Sequence, residues 1–214
     1  MPQIGDVARR FGPRYAGRYG STMLPSHRRT LTDLAACRTP ELGWQTFVCN
    51  DCGRTHVSYA ACNNRHCPNC SGAEREKWLI KRRSEMLPVP YYHMVFTVPK
   101  CLRPLFRKHQ KICYAVLMKA AATSIIEMAA DPRYVGAKVG VMAVLHTWTR
   151  AMLFHPHVHC LVPAGGLSKD GIWHSARNPG VLLPAKALSV VFRGKVMAML
   201  RDALPDAWIP VLRP

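Results

Sequence analysis

Residues 153–166, LFHPHVHCLVPAGG, decide how the second half of this chain folds. His157 and His159 stand two apart beside Val158, Cys160 and Val162, the alternation of a half-buried strand. Both imidazoles therefore leave one face, while Val158 and Cys160 leave the other. An imidazole pair suits a divalent metal, and two ligands leave positions open for water and a phosphate oxygen, which is the logic of a catalytic site rather than a structural one. His155, His146 and His93 are candidates for a third ligand. The plainer alternative is a set of hydrogen-bonded histidines on a half-buried strand.

The segments around this strand give an α+β order. Tyr91 to Pro99, rich in aromatic and β-branched residues and bounded by prolines, reads as a strand. Leu105 to Ala130 reads as a helix ended by Asp131-Pro132, with Leu105, Ile112, Val116 and Ile125 at helical spacing. Val139 to Trp148 and His157 to Pro163 read as neighbouring strands, Gly171 to His174 as a short third, and Ala185 to Leu204 as an amphipathic helix. The order is β-α-β-β-α, an antiparallel sheet with helices, expected over residues 89–214. Arg103, Arg107 and Lys108 make one end of the first helix strongly basic.

Towards the amino terminus, Cys49-x-x-Cys52 and Cys67-x-x-Cys70 are two knuckles at close to the spacing with which zinc ribbons place four thiolates around one ion. They define a small zinc-binding module over residues 37–71, with Zn²⁺ as its structural cofactor. Cys37, Cys62 and His66, with His56, either complete a second tetrahedral site or pack beside the first. Structural zinc holds together a module too small to build a core, freeing Arg54 and Arg65 for phosphate or base contacts. Zinc ribbons also dock proteins, so that use stays open. Residues 72–88 read as a linking helix stopped by Pro88, and residues 1–36 as a loosely ordered basic arm leading into a short helix, either a solvated tail or a DNA-contacting arm.

Composition narrows the partner. Thirty Lys and Arg against 12 Asp and Glu leave a formal charge of +18, which calls for a polyanion. No uninterrupted apolar run approaches the ~20 residues of a membrane span, and Met1 to Arg10 lacks a signal-peptide core. Nucleic acid is therefore expected rather than membrane, in a cytoplasmic, nucleoid-associated setting.

The stretches LAACRTPELG, FVCNDCG, ACNNRHCPNC, FTVP, VLHTW, FHPHVHCLVPAGGL and LSVVFRGK, in this order, resemble the rolling-circle insertion-sequence transposases of the HUH type, the IS ninety-one-like group with an amino-terminal zinc-binding domain. The resemblance covers most of residues 34–203. It implies that His157-Val158-His159 binds Mg²⁺ or Mn²⁺ to polarise a scissile phosphate of single-stranded DNA at transposon ends. A tyrosine then attacks the phosphorus, leaving a 5′-phosphotyrosine and a free 3′-hydroxyl.

Two departures bear on that expectation. Gln45 stands where similar zinc domains often place a histidine. The family's tyrosine motif lies beyond the helix resembling Leu188 to Leu204, whereas this sequence closes on DAWIPVLRP, so a chain lacking its nucleophile is expected. Two competing readings stand beside this one: a stand-alone zinc-ribbon DNA-binding or regulatory protein, and a metal-dependent hydrolase, which would need an acid near the histidines, the nearest being Asp170 in a turn.

Overall fold

A computed structural model describes residues 3–205, which form two compact units, Met1–Met86 and Leu87–Pro214. The carboxyl-terminal stretch DAWIPVLRP, on which the expected absence of the tyrosine motif turns, lies outside the described residues.

The first unit opens with two helices, α1 (Ile4–Tyr19) and α2 (Pro25–Ala36), where the sequence suggested a loose arm. Two glycines of α1 are points of close helix contact. A Cβ on Gly12 would lie 3.3 Å from the Leu31 side chain, and one on Gly5 would lie 3.1 Å from the Leu34 carbonyl oxygen. The Gln3 amide donates to the Asp6 carboxylate at 2.8 Å, capping α1. Arg9 bonds both Asp6 and the Ala35 carbonyl oxygen, tying the helices together.

A two-stranded antiparallel hairpin follows, β1 (Trp44–Val48) with β2 (Thr55–Tyr59), every residue of it exposed. Helix α3 (Pro68–Ser84) starts four residues before the expected 72, because Pro68 takes the first helical position, where its missing N–H costs nothing. Cys67 is thereby the residue before the helix, and Cys70 lies in its first turn. Among the described residues, the buried hydrophobic side chains of this unit are Ala8, Ala36, Cys37 and Cys67. That is too little apolar surface for an independent core.

The second unit is built on a three-stranded antiparallel sheet in the order β3 (Tyr91–Thr97), β5 (Phe154–Pro163), β4 (Met142–Trp148), so the histidine strand is central. One face pairs Phe96, Val158 and Leu145, then Met94, Cys160 and Ala143, across the three strands. This face is covered by α5 (Gln110–Ala129) and α6 (Ala185–Ala203), with Phe96 and Phe192 rings 4.8 Å apart. The expected long helix is broken at His109 into α4 (Arg103–Lys108) and α5. A small hairpin of β6 (Gly165–Leu167) and β7 (Trp173–Ser175) leads into α6; the sequence had suggested β7 but not β6.

Helix α5 comes nearer to a membrane span than the apolar runs suggested, being long and apolar enough by length and mean hydropathy (1.5). Its buried residues Cys113, Val116, Leu117, Ala120, Ala121, Ile125 and Ala129 belong to the core under the sheet. That burial accounts for its apolar character.

Candidate functional site

Four thiols meet in the first unit. A zinc tetrahedron with Zn–S bonds of about 2.3 Å has edges of about 3.8 Å. The Cys37 Sγ lies 3.6 Å from that of Cys67 and 3.4 Å from that of Cys70, and the Cys62 Sγ lies 3.7 Å from Cys70. The donor set and its spacing fit one zinc ion. Position follows from the fold: Cys37 closes α2, Cys67 and Cys70 open α3, and Cys62 lies on the intervening loop, whose Asn64 bonds Asp33 of α2 at 2.8 Å.

Spacing alone had grouped Cys49 and Cys52 with Cys67 and Cys70. The structure instead brings Cys37 and Cys62 to the second knuckle, while Cys49 and Cys52 sit exposed in the β1–β2 turn. His66 is exposed, accepts from Arg65 Nε at 3.2 Å, and is not among the clustered ligands.

The thiols do not titrate alike. Burial, above all, pushes Cys37 up and takes Cys62 to about 12. Burial also pushes Cys70 up, but hydrogen bonds from Cys37, the Asn63 backbone, Cys67 and Cys62 outweigh it and bring this thiol down to about 7. Cys70 is thus the readier to ionise, while Cys37 and Cys62 hold their protons until zinc uptake releases them.

The second cluster lies on the uncovered face of the central sheet. Here Thr97, His157 and His146 align across β3, β5 and β4, flanked by Val95, His159 and Val144 one pair further on. Ligand atoms of His146, His157 and His159 lie within 4.8 Å of one another, close enough for one ion with bonds near ~2.1 Å after small ring rotations. Of the three third-ligand candidates, His146 is the one in the cluster.

His155 and His93 serve the others. His157 Nδ1 is 2.7 Å from the His155 carbonyl oxygen, which makes it the donor and leaves Nε2 with its lone pair. His159 Nδ1 is 2.8 Å from His93 Nε2, with the two ring planes nearly parallel and their centroids 5.0 Å apart. Such outer hydrogen bonds fix tautomer and ring orientation.

No carboxylate joins the triad among the described residues, and Asp170 lies in the β6–β7 turn. Three imidazole donors would leave a bound dication its full charge for polarising a phosphate, and no carboxylate stands in the cluster to serve as a hydrolase's base. Burial first, then neighbouring positive charge, lowers His146, His155 and His159 below the ordinary 6.5. A lowered value keeps the rings neutral at neutral pH, and protons compete with metal only below it. Mn²⁺ affinity is therefore expected to be flat above pH 7 and to fall in acid by up to ~tenfold per pH unit for each ring that protonates. Titration calorimetry at pH 5 to 8 checks this, and affinity that rises in acid would refute it.

One basic side chain reaches the flank of the triad at His155, whose ring lies 5.2 Å from that of His157. Arg103 of α4 reaches His155 Nδ1 at 2.7 Å, and its Nε is buried with no partner. Arg107 lies over the Phe154 ring at 5.6 Å, and Lys108 is exposed beside it. Arg54 and Arg65 are exposed in the first unit. The sequence reading passed over Trp148, whose ring stacks on His146 at 5.2 Å and 17°; its position two residues beyond His146 was the available signal.

Fold and site define a class: a thiol-held zinc module followed by an antiparallel sheet with a histidine triad on its open face. Residues 7–98 match the transposase zinc-binding domain of IS91 type, and residues 140–210 match a family described as putative transposase. The two matches and the relatives place the chain among the IS91-type transposases. It is 39% identical over 202 residues to a putative transposase, y4qJ, of Sinorhizobium fredii (strain NBRC 101917 / NGR234), covering 94% of this chain and 50% of that protein. It is 37% identical over 146 residues to the transposase for insertion sequence element IS801 of Pseudomonas savastanoi pv. phaseolicola, covering 67% of this chain and 35% of that one. The chain thus spans half or less of these relatives. Among solved structures, the metal-bound conjugative relaxase TrwC in complex with oriT DNA aligns with TM-score 0.42 and 16% identity, over 52% of this chain and 43% of that one.

Proposed function

We propose that this chain supplies the metal-holding and single-strand-binding part of a rolling-circle transposase, with Cys37, Cys62, Cys67 and Cys70 as zinc ligands and His146, His157 and His159 as the ligands of a catalytic-type Mg²⁺ or Mn²⁺. The observation that carries the reading is a cluster of three histidines at the centre of an uncovered sheet face, beside a cationic helix. When bound there, a divalent ion supplies Lewis-acid polarisation of a scissile phosphate. The chain's own groups do the rest. His155 and His93 hold the ligand rings in register through His157 and His159, and Arg103, Arg107 and Lys108 attract and orient the flanking phosphates.

The tyrosines of this unit are not aimed at the triad. Tyr91 OH accepts the Leu87 amide, and four residues of strand, about 13 Å, separate it from Val95 beside His159. Tyr92 OH donates towards the Asn178 and Pro179 carbonyls, and Tyr114 and Tyr134 pack against the core behind the sheet. These contacts support a reading in which none of the four is the nucleophile.

Single-stranded DNA is expected to bind tightly at low salt and to weaken steeply as salt rises, since each phosphate neutralised contributes about 0.7 to the log–log slope. Changing Arg103, Arg107 and Lys108 together to Glu should flatten that slope by about 2 and weaken low-salt binding by more than about tenfold. Fluorescence anisotropy at several salt concentrations measures both. Salt-insensitive binding, or none at low salt, would sink the proposal.

A further inference from the structure

The triad has a neighbour that metal ligation does not use. Strand β4 carries Trp148 two residues beyond His146, on the same face, and its indole lies nearly parallel to the His146 imidazole, with centroids 5.2 Å apart at 17°. The His146 ring in turn lies 4.4 Å from that of His159. The pairing register shifts between His146 and Trp148, so that His146 faces His157 but Trp148 faces Phe154. An irregularity of this kind commonly re-aims a side chain beside a functional site. Trp148 remains 48% exposed.

An exposed tryptophan by itself is ordinary. This one differs in being pre-ordered: its ring lies nearly parallel to that of a candidate ligand, which holds the indole beside the triad. At the same end of the sheet, the Arg103 guanidinium reaches His155, the neighbour in β5 of Trp148's pairing partner Phe154, with its Nε unpartnered. A cation and a flat π surface beside one phosphate site match the two halves of a nucleotide. Aromatic stacking is how single-strand binders hold bases without reading sequence.

We propose that Trp148 is a nucleobase platform: a nucleotide whose phosphate sits at the histidine triad lays its base on the free face of the indole. This rests on the single-stranded DNA reading above and adds the subsite that positions the strand. Trp148 touches the base and not the reacting atoms, so its effect falls on binding and register.

The test compares wild type, Trp148→Phe and Trp148→Ala, each verified by circular dichroism and zinc content, on a labelled oligothymidylate and on the same oligonucleotide with abasic residues. Trp148→Ala should weaken binding to the base-bearing strand by about tenfold and Trp148→Phe by about threefold or less, because a phenyl ring still stacks. The wild-type protein should bind the abasic strand about as weakly as Trp148→Ala binds the base-bearing one. Quenching of tryptophan emission on binding should shrink in Trp148→Phe, although the chain has five tryptophans. If all three proteins bind both oligonucleotides alike, the platform is overturned while the single-strand reading stands. If wild type binds neither oligonucleotide at low salt, both fall.

Discussion

Changing Cys62 or Cys67 to Ser is expected to strip zinc from the protein and unfold residues 3–86, whereas Cys49→Ser should leave both zinc and fold in place. The asymmetry follows from geometry, since Cys37, Cys62, Cys67 and Cys70 cluster at zinc-tetrahedron spacing while Cys49 and Cys52 stand exposed on a hairpin turn. The effect should be large because the unit has almost nothing else: Ala8, Ala36, Cys37 and Cys67 are its buried hydrophobic residues among those described, and both strands of its hairpin are exposed. Zinc binding in small thiolate modules is worth on the order of 10 kcal/mol, more than so small a buried set can replace. Elemental analysis with circular dichroism on the single variants decides it. Zinc lost from Cys49→Ser but retained by Cys37→Ser would restore the grouping that spacing alone suggested.

That case shows where sequence reading stops. The Cys-x-x-Cys signature announces a metal module, but ligand choice depends on how α2 and the start of α3 bring Cys37 against Cys67, a contact thirty residues apart in the chain. Spacing records only the local knuckle. The amino-terminal helices were hidden for a related reason: Gly5 and Gly12 carry the composition of a loop, and their role appears only when Leu31 and Leu34 of α2 lie against them. The second unit was far more legible, because a strand with one buried face writes its pairing into a period of two. Val158, Cys160 and Val162 mark the core face, leaving His157 and His159 together on the other. The third ligand needed the register, since only the β4–β5 pairing sets His146 opposite His157 and leaves His93 and His155 in supporting positions.

The replacement of both His157 and His159 by Ala should abolish Mn²⁺ binding at the sheet while leaving zinc and the fold intact. Both side chains project from the uncovered face, and the buried contacts of β5 are made by Val158, Cys160 and Val162, so the core loses nothing when the imidazoles go. Two of three ligands vanish, and a dication held by one imidazole and water is scarcely held at all. His146→Ala alone should weaken Mn²⁺ by a smaller factor, because His157 and His159 remain oriented by His155 and His93. His93→Ala, which removes no ligand, should cost about 10- to 100-fold, the usual effect of losing an outer hydrogen bond to a metal ligand. Electron paramagnetic resonance of added Mn²⁺, read on zinc-loaded protein, counts the free ion in each variant. If the double variant binds Mn²⁺ as tightly as wild type, the ion sits elsewhere and the histidines are structural. If His146→Ala has no effect while His155→Ala abolishes binding, the third ligand belongs to β5 and not to β4.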